Sequence, residues 1–133
     1  MTENIQDMLM KIYNALIANS YIEKHAANRI KFYEYPETGD KSGAFITLRP
    51  LSPQENAYFA SDQAMAIHFW YQIDCESVDR TEVKMLQWHI KNEMKKLGFT
   101  QTSDGLDEYF KETKRFVDAR RYVGNSKIYD TEY

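Results

Sequence analysis

A chain of 133 residues, 43% hydrophobic and 28% charged, has the length and balance of one globular domain, which excludes a disordered chain. Its formal charge of −3 excludes a polycation drawn to nucleic acid over its whole surface. A single cysteine, Cys75, rules out a disulfide within the chain.

The opening MTENIQDMLMKIYNAL places acidic residues early and no basic segment before its apolar positions, unlike a signal peptide. No apolar run approaches the ~20 residues of a membrane span. A soluble intracellular protein with no membrane partner is expected. Ile5, Leu9, Ile12 and Leu16 recur at helical spacing, with Met8 and Tyr13 beside them. Asn4 is placed to cap this helix, Asp7 falls in its first turn, and Asn19-Ser20 ends it.

After a loop carrying His25, Ile30–Tyr35 and Ala44–Leu48 read as strands. PETGDKSG between them is a turn signal, so the pair is expected to form a β-hairpin with a long loop, closed by Pro50. Residues 51–63, LSPQENAYFASDQ, read as a long polar loop. Its Tyr58 and Phe59 either fold back onto the domain edge or dock into a neighbouring subunit.

From Ala64 to Cys75 the chain alternates. Met65, Ile67, Phe69, Tyr71 and Ile73 share one face of a strand, while Ala66, His68, Trp70, Gln72 and Asp74 share the other. Asp79 followed by Glu82 resembles a capping box, and Val83, Leu86, Ile90, Met94 and Leu97 form a helical stripe that stops at Gly98. Phe99–Thr102 begins another strand, turned by Ser103-Asp104-Gly105. Leu106–Glu112 reads as strand or loop, and Arg115–Val123 as a last strand, covered on both faces or carrying a bulge. Asn125–Tyr133 reads as a polar tail, frayed or docked elsewhere. Residues 1–124 are therefore expected to form one α+β domain. Its mainly antiparallel sheet packs against two helices, in the order α-β-β-β-α-β-β.

Residue types that carry catalysis do not converge. His68, Asp74 and Cys75 lie within eight residues, but strand parity sends His68 and Cys75 to opposite faces. His89 and Glu93 share a helix face that reads as solvated, and the acid pair Asp107–Glu108 reads as loop. Neither an enzyme, a cofactor nor a metal site is expected. The stretch Lys111–Arg121, KETKRFVDARR, carries five cations against two acids. Basic residues with interleaved aromatics bind nucleic acid by phosphate contact and stacking, or balance acid elsewhere in the protein or across an interface.

The segments MLMKIYNALIAN, GAFITLRPLSP, AMAIHFWYQIDCES, MKKLGF and VDARRYVG, in this order of elements, resemble the small neck and tail-tube proteins of long-tailed bacteriophages. The likeness is closest to the tail-terminator or tail-completion (head–tail joining) family of phages and prophages of Gram-positive bacteria. That resemblance implies a non-catalytic structural protein without cofactors, assembled as a ring, usually hexameric, on the end of the tail tube. Its implied partners are further copies of itself, the tail-tube protein and the head-connector proteins, with DNA only as cargo passing through the ring. It would reside in the host cytoplasm during assembly and then in the tail or neck of the virion. On the residue reading, Tyr58, Phe59, Arg115, Arg120 and Arg121 are the candidate interface. Glu34, Glu37, Asp40 and Asp62 are candidates for the acidic complement of a head-to-tail contact. The competing expectation is a small nucleic-acid-binding domain using residues 111–121.

Overall fold

The computed structural model describes residues 5–60, 63–127 and 130–133, and the side chains of these except at 58–60 and 63–64. Among the described residues the elements run α1 (Met8–Ile17), α2 (Ser20–Ala26), β1 (Ile30–Phe32), β2 (Phe45–Pro50), β3 (Glu55–Ala60), β4 (Gln63–Ser77), α3 (Arg80–Lys96), β5 (Phe99–Phe110) and β6 (Arg115–Asn125). The fold is α+β, with a six-stranded, mostly antiparallel sheet in the order β1-β2-β4-β6-β5 and β3 paired to β4.

Strand β4 organises the rest. Its 15 residues span about 50 Å at ~3.3 Å per residue. One edge pairs with β6 from His68↔Asn125 to Ser77↔Phe116. Its other edge takes β2 over Tyr71–Glu76 and β3 over Gln63–His68, so β2 and β3 follow one another along the same side. Ile67, Phe69, Tyr71, Ile73 and Cys75 are buried on one face and join Ile12, Leu16, Ile22, Leu86, Ile90, Met94 and Tyr122 in a single apolar cluster. The alternation in the sequence thus becomes the floor on which the helices sit.

Helix α3 forms as its stripe predicts. Asp79 accepts from the amides of Thr81 and Glu82. Glu82 does not reach back to the Asp79 amide as in a reciprocal capping box. Ser77 Oγ accepts that amide at 3.0 Å and donates to Glu82 Oε1 at 2.7 Å, closing the loop through a relay. At the other end Gly98 takes φ +92°, the left-handed stop that glycine supplies. In α1, Asp7 is the N-cap and the expected cap Asn4 lies outside the described residues. Ile5, expected on the apolar stripe, precedes the helix and is exposed.

Several expectations are corrected. The loop carrying His25 is helix α2, started by Asn19, whose side chain accepts from the amides of Tyr21 and Ile22. Strands β1 and β2 pair parallel, Ile30 to Ile46, and not as a hairpin. A parallel pair needs a connection of about a dozen residues, and residues 33–44 supply it. They cross the sheet face opposite the helices, where Tyr35 stacks on Phe45 with centroids 4.0 Å apart. Half of the expected loop 51–63 is strand β3. The element order is therefore α-α-β-β-β-β-α-β-β, one helix and one strand more than expected; β2 and β3 edge the long β4, and β1 edges β2. Residues 99–110 form one strand, and the bulge, one of two alternatives for the last strand, lies here instead, between Gln101 and Gly105. The tail docks on the domain: Tyr133 packs edge-on to Phe69 with centroids 4.9 Å apart, and the Ser126 hydroxyl accepts from the Ile67 amide at 2.9 Å.

Candidate functional site

Strand β6 places the basic stretch, and its alternation divides it. Arg121 pairs opposite Gln72 and faces the open side of the sheet, whereas Arg120 pairs opposite Ile73 and faces the helices. Arg120 grips Asp118 with both ends of its guanidinium, Nε at 3.0 Å and Nη2 at 3.2 Å. Lys84 Nζ donates to the same carboxylate at 2.7 Å. Asp118 is buried, and two cations on one carboxylate are what make an ionised acid tolerable there. Arg121 donates to Gln72 Oε1 at 2.9 Å and to Asp104 Oδ2 at 2.8 Å. Arg115 lies on the open face over the Phe45 ring, 3.9 Å from Glu76 and donating to the Lys41 carbonyl. The three arginines do not form one edge; each serves a local acid. Lys111 and Lys114 stand exposed at the β5–β6 turn.

Tyr58 and Phe59 lie in β3, with Phe59 opposite Ala64, and their side chains fall outside the described residues. Of the expected acidic complement, Glu34 and Glu37 are exposed, Asp40 sits 3.5 Å from Arg29, and Asp62 is outside the described residues.

Parity separates His68 from Cys75 as expected. His68 Nδ1 contacts Asn125 Oδ1 at 2.7 Å on the open face, while Cys75 is fully buried under the helices. Burial pushes its thiol well above the ordinary value, helped by the negative charges of Asp118 and Asp74. Burial also raises the Asp74 carboxyl, against the lowering effect of the Gln72 amide, and raises that of Glu76 against the Arg115 charge.

The face of His89 and Glu93 is not simply solvated. Tyr21 of α2 is sandwiched between the His25 ring, 4.0 Å away, and the His89 ring, 4.6 Å away. Glu93 Oε2 accepts from Asn19 at 2.8 Å, and His25 meets Glu82 Oε2 at 2.6 Å. This half-buried network ties α2 to α3. In it the carboxylate of Glu82 stands between the Ser77 hydroxyl and His25, so the histidine does not touch the hydroxyl and sets up no nucleophile–base pair. No group of three His, Cys, Asp or Glu among the described residues could hold a metal ion. No helix among them is long and apolar enough to cross a membrane.

Two features at opposite ends of the sheet were not read from the sequence. At the β5 end, Trp88 is 57% exposed and Met85 39% exposed, although both belong to the best-formed helix. Trp88, Lys91 and Lys95 recur at i, i+3 and i+7 and line a cleft of about 430 Å³ with Asn92, Phe99 and Gln101. Neither lysine has an ion-pair partner among the described residues. Apolar residues off the buried stripe of an amphipathic helix are the signal that could have found them. At the opposite end, where β2 gives way to β3, the pairing with β4 lapses over residues 52–54, between the Leu51 amide bonded to the Trp70 carbonyl and Glu55 opposite His68. A cleft of about 680 Å³ lies there between α1 and β4, lined by Asp7, Phe32, Tyr33, Pro50, Pro53 and Trp70 among others. Tyr33 is 64% exposed, at φ +71°, and the Trp70 indole N–H is buried without a partner. Burial, followed by the charge of Asp7, pushes the Tyr71 hydroxyl beside this cleft up to about 12.

Fold and surface together define an α+β domain whose sheet, among the described residues, ends in the edge strands β1, β3 and β5, with exposed Tyr33 following β1, Tyr109 in β5 and Trp88 on α3 beside β5. The sequence matches no protein-family model and no curated protein.

Proposed function

We propose that the chain is a structural protein of a bacteriophage or prophage tail, a tail terminator or head–tail joining component that assembles as a ring at the end of the tail tube. The reading starts from the resemblance carried by segments such as AMAIHFWYQIDCES and VDARRYVG. The observation that supports it is the pair of opposite sheet edges, β5 beside Trp88 and β1 beside Tyr33, each open among the described residues and each bearing exposed aromatic surface. Head-to-tail rings need two unlike surfaces on one subunit, and opposite edges of a sheet provide them. Binding to tail-tube and head-connector proteins, with no catalysis, follows from the same reading. The tethering of Arg115, Arg120 and Arg121 to Glu76, Asp118 and Asp104 leaves them ill-disposed to act as one phosphate-binding patch, so the nucleic-acid alternative is not favoured.

Sedimentation and native mass measurement over a rising concentration series, with and without purified tail tubes, test this. Rings, free or on tube ends, are expected. A strict monomer at high concentration that also ignores tail tubes would overturn the reading.

A further inference from the structure

We infer that Trp88 of one copy inserts into the cleft beside Tyr33 of the next copy. This inference rests on the ring reading and names the contact that would build it. Trp88 is the large aromatic side chain that its own helix leaves most exposed, and buried tryptophan anchors in pockets carry much of the binding energy of protein interfaces. The receiving cleft lies at the opposite end of the sheet. It is walled by Phe32, Tyr33, Pro50, Pro53 and Trp70, and its volume of about 680 Å³ exceeds that of the cleft beside Trp88. Pockets of roughly 300–1,000 Å³ with apolar walls and a few polar groups are suited to such a side chain.

Charge complementarity selects a second copy as the occupant. Lys91 and Lys95 flank Trp88 with no ion-pair partner among the described residues. Asp7 lines the opposing cleft, and exposed Glu34 follows Tyr33 in the chain, lining with it the neighbouring cleft. Docking would therefore bury an aromatic anchor while two free cations meet two acids, a pairing that sets orientation more than affinity. Because knob and cleft occupy different ends of the subunit, the contact is heterologous, and each copy can accept one neighbour and enter another. The basic side of the interface would then be Lys91 and Lys95 on α3, in place of Arg115, Arg120 and Arg121.

The test uses two variants of the full chain, Trp88→Ala, which removes the knob, and Tyr33→Arg, which blocks the cleft and repels Lys91. Both sites are exposed, so unchanged thermal melts should accompany them. Under conditions where the wild-type chain assembles, each variant alone should be monomeric, with its association weakened at least about tenfold. An equimolar mixture should form one-to-one dimers that grow no further, since only one intact knob and one intact cleft can meet. Charge reversal at Lys91→Glu with Lys95→Glu should weaken assembly, and Glu34→Lys should restore part of it. Assembly of Trp88→Ala indistinguishable from wild type, or filling of the cleft by a different segment in the assembled ring, overturns the inference and leaves the ring reading standing. A wild-type chain that stays monomeric at every concentration and on tail tubes overturns both.

Discussion

Asp74 illustrates how one residue's environment is set by strands distant in sequence. It stands on the open face between Thr47 of β2 and Ala119 of β6, with Arg49 and Arg121 diagonal to it. Burial nevertheless raises its carboxyl above the ordinary range, and the Gln72 amide and those cations only moderate the effect. A carboxyl raised in the folded state binds its proton more tightly there than in the unfolded chain. Ionised Asp74 therefore costs stability above its folded-state pKa, and the cost disappears as pH falls below the unfolded value of about 3.9. Asp74→Asn keeps an acceptor for the Gln72 amide and should raise the urea midpoint at pH 7. The advantage over wild type should vanish near pH 3. An advantage that persists unchanged at pH 3 would show that ionisation is not its source. At this scale the sequence was informative about direction only. The parity of His68, Asp74 and Cys75 was legible from spacing, because the strand is regular. The partners of Arg120 and Arg121 were not, because they depend on which strand lies opposite.

Elements show the same division. The amphipathic stripe of α3 and the alternation of β4 were legible because each is long and strongly periodic. Helix α2 was not, since seven residues contain too few turns for a period and Asn19 reads equally as the end of α1. The parallel pairing of β1 was hidden for another reason: a Pro- and Gly-containing connection of a dozen residues serves a loose hairpin or a crossover alike. In β5 the irregularity between Gln101 and Gly105 lets a single strand continue past SDG, which the sequence presents as a turn. Gly105 makes this possible at φ +148°, where an added Cβ would fall 2.3 Å from the Ala119 carbonyl oxygen. Gly105→Ala should therefore destabilise the domain by about 2 kcal/mol or more in urea unfolding. A loss under about 0.5 kcal/mol would mean that the strand relaxes around the new methyl group.

Across the whole molecule, the tail changes the description of the domain. Residues read as a polar appendage return to α1 and β4. The Gln6 amide donates to the Glu132 carbonyl at 2.7 Å, the Lys11 ammonium lies 4.8 Å from the centroid of the Tyr133 ring, and that ring packs against Phe69. Aromatic packing of this kind with the area it covers contributes about 1–3 kcal/mol. Tyr133→Ala should lower stability by that amount in chemical denaturation, with an unchanged far-ultraviolet spectrum. No change would place the tail outside the cooperative unit.

What the sequence by itself determined was local and periodic: one α+β domain, a central strand with a buried face, a capped helix to cover it, and the separation of His68 from Cys75. Alternation at two and recurrence near 3.6 are properties of a single segment, so they survive without knowledge of its neighbours. Tertiary structure alone decided the strand order, the parallel β1, the internal ion pairs of the basic stretch, and the placing of Trp88 and the Tyr33 cleft at opposite ends of the sheet. Those are contacts between segments far apart in the chain, where many pairings satisfy the same hydrophobic pattern and packing selects one.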